Sequence, residues 1–322
     1  MRALRRTAGV AAVLTYALIV LGALVRATDS GLSCPDWPTC YGHWVPLPSD
    51  VAALPDVGYT YGQIMLEWVH RLIAGVLLGP LFLAIGVMAW RVRGRDPTMP
   101  YCGAALVALL VVQASLGGIT VLDRNSPWSV ALHLGTALTL FAVLLLVFDR
   151  ARAARPSGAR AAAPLGSLAV VVWLLALAAM ASAAMTAKSG ASLACATWPL
   201  CDGAVVPDLS DPLIRLHFAH RVLAAGVGVG LLALFAVTRR AAPPGVRGLA
   251  SLALGLVLVQ ILLGALVIAL YVPVWAAVAH QALGVLTFAV ISLVMWRALG
   301  VAAPAGGRAS LELEGDVGLR RA

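Results

Sequence analysis

The chain has 322 residues, of which 61% are apolar and only 11% are charged, and its mean hydropathy is +0.93. This composition excludes a water-soluble globular domain and indicates an integral membrane protein. The formal net charge is +9. Because the arginines cluster in short segments between apolar stretches, that charge reports membrane topology, and we expect no nucleic-acid partner.

Eight apolar segments are each long enough to cross a bilayer as a helix, which takes about 20 residues. In chain order they cover about 8–25, 64–90, 101–121, 128–148, 166–186, 214–237, 246–271 and 274–299. They lack the short alternating pattern of membrane β-strands. The first segment follows three arginines, as a signal peptide would, but it leads into a polar motif without an Ala-x-Ala site, so we predict a retained helix. The predicted fold is therefore all-α and polytopic, in contact with the lipid bilayer on its outer surface.

The arginines predict the orientation of these helices. They stand before the first span, in every second connection and after the last span: Arg2, Arg5, Arg6, Arg91, Arg93, Arg95, Arg150, Arg152, Arg155, Arg160, Arg239, Arg240, Arg247, Arg297, Arg308, Arg320 and Arg321. The alternate connections carry few cations and several aspartates, among them Asp56. The positive-inside rule therefore predicts a multi-pass cell-membrane protein with both termini cytoplasmic and the cysteine-containing loops outside.

The two halves of the sequence resemble each other. Each has a Cys-x5-Cys loop, then a His-Arg pair in an apolar segment, then a glutamine followed by a histidine twenty residues later. Since each half holds four spans, the copies share one orientation. We predict two tandem four-helix bundles with the following parts: an N-terminal half at 1–150, a basic linker at 151–164, a C-terminal half at 165–300 and a disordered cytoplasmic tail at 301–322.

Four histidines occupy matching places in the two halves. His70 and His220 each precede an arginine, and His133 and His280 each follow a Gln-x3-Gly motif. Haem iron accepts two axial imidazoles from different helices, so we predict the pairs His70 with His133 and His220 with His280. The alternative is that they are interfacial histidines bonded to backbone or water. Zinc or copper is less favoured, because neither a carboxylate cluster nor a cysteine lies at that depth.

Glu67 is the only acid within the predicted spans, three residues before His70 on the same helix face. A carboxylate there suits proton transfer beside a reacting ligand; the alternative is a carboxylate paired with an arginine. The matching residue of the second half is His217. The duplication is thus broken at this position, and whether His217 or His220 is the axial ligand stays open, although the shared His-Arg pair favours His220.

Two further pairs of residues are candidates for the site. Arg71 and Arg221 are predicted to contact haem propionates, or else to extend to the membrane interface. If His217 is not the axial ligand, we expect it to contact a propionate or the ligand histidine. The cysteines form two external Cys-x5-Cys pairs, Cys34 with Cys40 and Cys195 with Cys201. Disulfides are plausible in that compartment, either as structural links or as redox groups.

Together these residues resemble the haem A synthase family over nearly the whole chain. The resemblance rests on the segment from Gly22 to Leu32, the Cys34–Cys40 loop, Glu67-x-x-His70-Arg71, Gln113-x3-Gly117-Gly118, His133, His220-Arg221 and His280. It implies an enzyme that oxidises a ring methyl group of haem O to a formyl group by successive hydroxylations, giving haem A for terminal oxidases.

The resemblance also implies roles for the two halves. The N-terminal half would bind haem O between His70 and His133, with Glu67 as the essential glutamate and a functional Cys34–Cys40 pair. The C-terminal half would keep haem b between its two histidines. A haem O synthase would supply the substrate; the electron donor is unidentified, and a homo-oligomer is compatible with the sequence.

Three other functions are compatible with parts of the sequence. A membrane electron carrier with two permanent haems predicts symmetric halves, which the difference between Glu67 and His217 opposes. A thiol-quinone oxidoreductase would use the cysteine pairs but leaves four histidines unexplained. A haem transporter predicts haem that leaves unaltered.

Overall fold

The computed structural model describes residues 1–54, 57–152, 163–242 and 244–300. Within them the helices are α1 (Arg2–Ala27), α2 (Pro48–Ala52), α3 (Tyr61–Leu72), α4 (Gly79–Arg91), α5 (Met99–Leu122), α6 (Pro127–Arg152), α7 (Ala163–Lys188), α8 (Pro212–Ala241), α9 (Pro244–Ala269) and α10 (Val274–Ala298). In this part of the chain, eight spans are long and apolar enough to cross a membrane. The prediction of eight helical spans is confirmed. The predicted tail at 301–322, Asp56 and most of the linker, 153–162, lie outside the described residues.

The second span contains a local change of helix type. α3 and α4 are joined by a π-helical segment, Ile73–Leu78, and together they form one span, Tyr61–Arg91. Pro80 stands just after the segment and has no backbone N–H to give to the preceding turn. The corresponding helix of the second half, α8, is a continuous α-helix. Because π-helical turns are frequent at functional sites, this difference marks the N-terminal half.

The helices pack into two groups that meet along a shared core. α1 packs on α4 and α6, and α5 lies between α4 and α6; in the second half, α7 packs on α8 and α10, and α9 lies between α8 and α10. The halves meet where α6 packs on α7 and α10 and where α1 packs on α10. In the most apolar 18-residue stretch of each helix, 56% of α10 is buried inside the protein and only 11% of α9. α10 therefore belongs to the centre of the protein, and α9 to its lipid-facing edge.

The duplication extends to the backbone of the connecting loops. Left-handed residues close both disulfide loops, at Tyr41-Gly42 and Asp202-Gly203. The same conformation occurs at Arg124-Asn125 before α6 and at Tyr271-Val272 before α10. β-Branched Val272 rarely adopts a positive φ, so its backbone is set by the repeated fold and not by local preference.

Two buried ion pairs lie at the end of the spans away from the disulfide loops. Arg150 donates to both carboxylate oxygens of Asp96 at 2.9 and 2.8 Å, and Arg297 does the same to Asp149 at 3.0 and 2.6 Å. The second pair joins α6 to α10 and so links the two halves. Burial would raise the pKa of Asp96, which lies between two spans, but the hydrogen bonds from Arg150 outweigh it and hold that pKa below its usual range.

Candidate functional site

The fold brings the four histidines together in the two predicted pairs. His70 on α3 and His133 on α6 are close enough for their charges to interact, and so are His220 on α8 and His280 on α10. All four side chains are partly buried. Each half therefore presents two imidazoles from different helices, which is the donor set that a haem iron accepts.

Glycines make room for three of these rings. A Cβ atom added at Gly22 would lie 3.2 Å from Nε2 of His70, and one at Gly117 would lie 3.3 Å from Cε1 of His133. At Gly264 the added atom would be only 2.9 Å from Cε1 of His280. A Cβ at Gly264 would force the His280 ring to move, and at Gly22 and Gly117 the neighbouring ring would have to give way by a few tenths of an ångström. The glycines of the sequence motifs thus shape the space around the histidines.

The contacts of the second half distinguish His220 from His217. Nδ1 of His220 lies 3.1 Å from the carbonyl oxygen of Ala179 and 3.1 Å from Oγ of Ser182. When Nδ1 carries the proton and donates to that carbonyl, the lone pair of Nε2 stays available for a metal. His217 is buried and its Nδ1 accepts the backbone N–H of Cys195 at 3.2 Å. This arrangement favours His220 as the ligand, as the sequence did.

Unpaired polar atoms gather at the same places. Among the described residues, the buried side-chain nitrogen and oxygen atoms without a hydrogen-bond partner are Oγ1 of Thr15, Oε1 of Gln113, Oε1 of Gln260 and Nδ1 of His280. Three of the four belong to the glutamines and histidines of the two pairs. Leaving such atoms unpaired costs about 1–3 kcal/mol each, so proteins retain them mainly where function requires them. Together with the glycine-lined rings, these atoms fit a bound haem in each half.

Glu67 anchors the first disulfide loop to the helix that carries His70. Its Oε1 accepts from Nη2 of Arg71 at 2.6 Å, and its Oε2 accepts from the backbone N–H of Cys34 at 2.9 Å. The hydroxyl of Ser33 lies 3.1 Å from Oε2. The carboxylate is almost fully buried, at 4% exposure. The pairing with an arginine, which the sequence left as an alternative to a catalytic role, is therefore present.

Arg71 completes this network. Its Nη1 donates to the carbonyl oxygens of Asp36 at 2.5 Å and Thr39 at 2.8 Å, and its Nη2 also donates to that of Cys34 at 2.9 Å. With the bond to Glu67, all four terminal N–H groups have partners. Contact between Arg71 and a haem propionate stays a prediction, and it would require some of these bonds to be exchanged.

The second half repeats the same network with one substitution. Arg221 donates to the carbonyl oxygens of Thr197 at 2.8 Å, Leu200 at 3.1 Å and Cys195 at 2.8 Å. His217 accepts the N–H of Cys195, as Glu67 accepts that of Cys34. Glu67 and His217 are thus structural equivalents. Only Glu67 brings a carboxylate, and therefore a second acceptor atom for its arginine.

Both cysteine pairs form disulfides, Cys34 with Cys40 and Cys195 with Cys201, as the sequence predicted. Of the four disulfide cysteines, three are fully buried and Cys201 is 2% exposed. A reductant can therefore reach either bond only after its loop opens.

The first loop also packs on α5, next to the glycine that contacts His133. An atom added at Gly118 of α5 would lie 3.3 Å from the ring of Trp37, so this indole packs directly on the helix beside Gly117. The side-chain amide of Asn125 donates to the carbonyl oxygen of Gly31 at 2.5 Å. The loop is thereby fixed to α3, to α5 and to the start of α6.

Asp36 organises the interior of that loop. It accepts from the backbone N–H groups of Tyr41 at 2.6 Å and Gly42 at 2.9 Å, and from the hydroxyl of Thr39. Burial would raise the pKa of Asp36, but these hydrogen bonds outweigh it, and the pKa lies below its usual range. Burial raises the pKa of Tyr41, with a smaller contribution from nearby Tyr59.

Sequence reasoning missed several of these residues. Ser33 and Asn125 drew no attention, although their contacts hold Glu67 and the first loop in place. For Ser33, a polar residue next to the cysteine was the available signal. Ser182 was equally hidden, but a hydroxyl within an apolar span that has to find a polar partner was a clue.

Comparison with known proteins places this geometry in a family. Residues 5–292 match the family COX15-CtaA, described as cytochrome oxidase assembly protein. Proteins named heme A synthase are similar along most of their length. The one from Shewanella oneidensis is 30% identical over 317 residues, covering 88% of this chain and 94% of its own. The one from Methylobacterium radiotolerans is 31% identical over 353 residues, covering 97% and 95% respectively. The chain belongs to the COX15-CtaA family of cytochrome oxidase assembly proteins.

Proposed function

We propose that this protein is a haem A synthase, a membrane enzyme that oxidises a ring methyl group of haem O to a formyl group by successive hydroxylations. Family membership and the names of its relatives support this function. The single observation that carries it is the broken duplication. Two matching imidazole pairs share one scaffold, but within the described residues only the N-terminal pair lies beside a buried carboxylate, Glu67.

In this proposal the halves divide the work. The N-terminal half binds the substrate haem O between His70 and His133, and the C-terminal half binds haem b between His220 and His280. When bound, haem b supplies a one-electron redox centre for the oxidation. The glycines beside the rings and the unpaired polar atoms support the assignment of both sites. The π-helical segment after His70 gives the substrate half a helix less regular than its counterpart, which suits a site that must load and release its ligand.

Glu67 is proposed to act on protons during methyl oxidation. Its carboxylate already accepts an arginine N–H and a backbone N–H, and these bonds hold its oxygen atoms in place for proton transfer. The bond from the N–H of Cys34 connects it directly to the Cys34–Cys40 loop. Arg71 therefore holds the carboxylate and the loop in one arrangement, whichever group a propionate contacts.

Orientation and partners are also proposed. The arginine-rich ends of the spans face the cytoplasm, so the disulfide loops lie outside the cell membrane, where disulfides persist. A haem O synthase is the expected source of substrate, because haem O is too apolar to diffuse through water. The reaction also needs an electron donor, and a homo-oligomer is compatible with this assignment.

The experiment for the function uses a host that makes haem O but no haem A. Extracted haems are separated by chromatography after expression of the wild-type chain. We expect haem A, or its hydroxylated precursor, to be formed. A permanent two-haem electron carrier would leave haem O unaltered, and that result would contradict the proposal. The Glu67→Gln variant should retain haem and form no haem A; haem A formation at the normal rate would exclude its role in proton transfer.

A further inference from the structure

Each half carries a Gln-x3-Gly motif one helix before its second histidine, and the glutamine touches that histidine. Nε2 of Gln113 on α5 lies 3.2 Å from Nδ1 and 3.1 Å from Nε2 of His133. Nε2 of Gln260 on α9 lies 3.3 Å from Nε2 of His280 and donates to its carbonyl oxygen at 2.9 Å. The contact occurs in both halves, so it is a feature of the duplicated fold.

The glycine of the motif determines where the ring lies. Gly117 and Gly264 stand one helical turn after the glutamines, under Cε1 of His133 and His280. The glycine lets the imidazole approach the helix backbone, and the glutamine amide lies against the nitrogen atoms of the same ring. The motif therefore limits both the position of the ring and its rotation about the bond to Cβ.

The orientation of the His280 ring depends on this motif, whereas the His220 ring has other polar partners. Nδ1 of His220 has the carbonyl of Ala179 and the hydroxyl of Ser182 beside it. Nδ1 of His280 has no hydrogen-bond partner among the residues that the structure describes. The usual device for orienting a ligand histidine, a hydrogen bond from its other nitrogen, is thus present for His220 and, within the described part of the chain, absent for His280. The orientation of the His280 ring therefore depends on the packing of Gln260 and Gly264 against it.

The amide also has a chemical consequence. An amide N–H can donate only to a ring nitrogen that carries a lone pair. Since iron would take that lone pair of His280, the bond from Gln260 that a bound haem leaves in place is the one to the carbonyl oxygen of His280 at 2.9 Å.

We propose that Gln260 and Gln113 are positioning residues that set the ring orientation of the second axial histidine in each half. The inference rests on the proposed function, because it takes His133 and His280 as haem ligands. It assigns a role to the Gln-x3-Gly motif, which the rest of the site leaves without one.

The test uses purified full-length protein with its resident haem b. Gln260→Met keeps the approximate volume and removes the amide, and Gln260→Glu keeps the shape and removes the N–H donor. We expect both variants to retain haem b but to shift its low-spin electron paramagnetic resonance signal and its midpoint potential, since both depend on the relative orientation of the two axial imidazoles. A residue that only fills space between helices would lower thermal stability and leave the spectrum of the bound haem unchanged, which would overturn the proposal.

Gln113→Met is the matched control, and it separates the two hypotheses. If the assignment of haem b to the C-terminal half is right, this variant leaves the haem b signal as in the wild type. A signal that moves with Gln113 and not with Gln260 would refute the assignment of the halves while supporting the positioning role. A signal that moves with neither variant would refute the positioning role alone, provided that His280→Ala removes the haem.

Discussion

Replacing Glu67 by glutamine should loosen the first disulfide loop, and the rate at which each disulfide is reduced measures this effect. The change keeps the side-chain shape but removes the charge that Arg71 contacts at 2.6 Å. It also sets an amide N–H against one of the donors that now face the carboxylate, Nη2 of Arg71 or the N–H of Cys34. Arg71 retains three loop carbonyls as partners, so its guanidinium is not left isolated.

The magnitude follows from these contacts. A hydrogen bond to a charged group contributes about 1.5–3 kcal/mol, whereas loss of one partner of a wholly isolated buried ion pair costs about 3–5 kcal/mol. The remaining partners of Arg71 place the loss near the lower figure, about 2–3 kcal/mol of local stability. Since about 1.4 kcal/mol corresponds to a factor of ten, the loop should open roughly 30 to 150 times more often.

The assay is the rate at which a water-soluble phosphine reduces each disulfide of the purified protein, with the released thiols trapped and identified by mass spectrometry. Because Cys34 and Cys40 are fully buried, their reduction reports loop opening. Cys195–Cys201 in the same molecule is the internal control, and its rate should not change. The reasoning is refuted if Cys34–Cys40 is reduced at the wild-type rate, or if both bonds accelerate equally.

The mirror variant has a smaller expected effect. His217→Ala removes one neutral acceptor from the N–H of Cys195 at 3.2 Å, worth about 1 kcal/mol, so Cys195–Cys201 should be reduced roughly five times faster. Cys34–Cys40 should be unaffected. An effect larger than that of Glu67→Gln on its own loop would contradict the view that the carboxylate makes the stronger attachment.

Three further predictions concern other parts of the network. The pKa of Asp36 is lowered in the folded loop, so its stabilising contribution is complete above the ordinary value of 3.8 and is lost as the pH falls through the folded value. The rate of reduction of Cys34–Cys40, divided by that of Cys195–Cys201, should therefore rise only below about pH 4. The same acid dependence of this ratio in Asp36→Asn would exclude Asp36 as its cause. Arg221→Ala should speed reduction of the second disulfide and not the first, and equal rates for both would contradict the separate attachment of the loops. Asp149→Ala leaves Arg297 without its carboxylate and should lower the free energy of unfolding by about 3–5 kcal/mol, and the melting temperature by several degrees. Asp208→Ala, at an exposed position, is the control and should change the melting temperature little. Equal melting temperatures for the two variants would refute a structural role for the pair of Asp149 and Arg297.

The spans and the family could be predicted from the sequence because their signals are local. About 20 consecutive apolar residues define a membrane helix whatever surrounds it, and the edges of the spans moved by only a few residues. The disulfides were predictable for a related reason, since a Cys-x5-Cys spacing in an external loop leaves few other partners. Membership of the family, inferred from the histidine, glutamine and cysteine motifs, is confirmed.

The attachment of Arg71 to the first loop could not be predicted, because it depends on tertiary contacts. Arg71 binds carbonyl oxygens of Cys34, Asp36 and Thr39, and a backbone carbonyl has no signature in the sequence. The ion pairs of Arg150 and Arg297 were hidden in the same way. The sequence assigned these arginines only to topology, and the fold buries them against Asp96 and Asp149.

The central claim is that the N-terminal half oxidises haem O while the C-terminal half holds haem b, and the haem content of two histidine variants tests it most directly. His133→Ala and His280→Ala are purified from a host that makes both haems, and the extracted haems are separated and quantified. We predict that His133→Ala retains haem b and contains no haem A, and that His280→Ala loses haem b. Loss of haem b from His133→Ala together with its retention in His280→Ala would contradict the account.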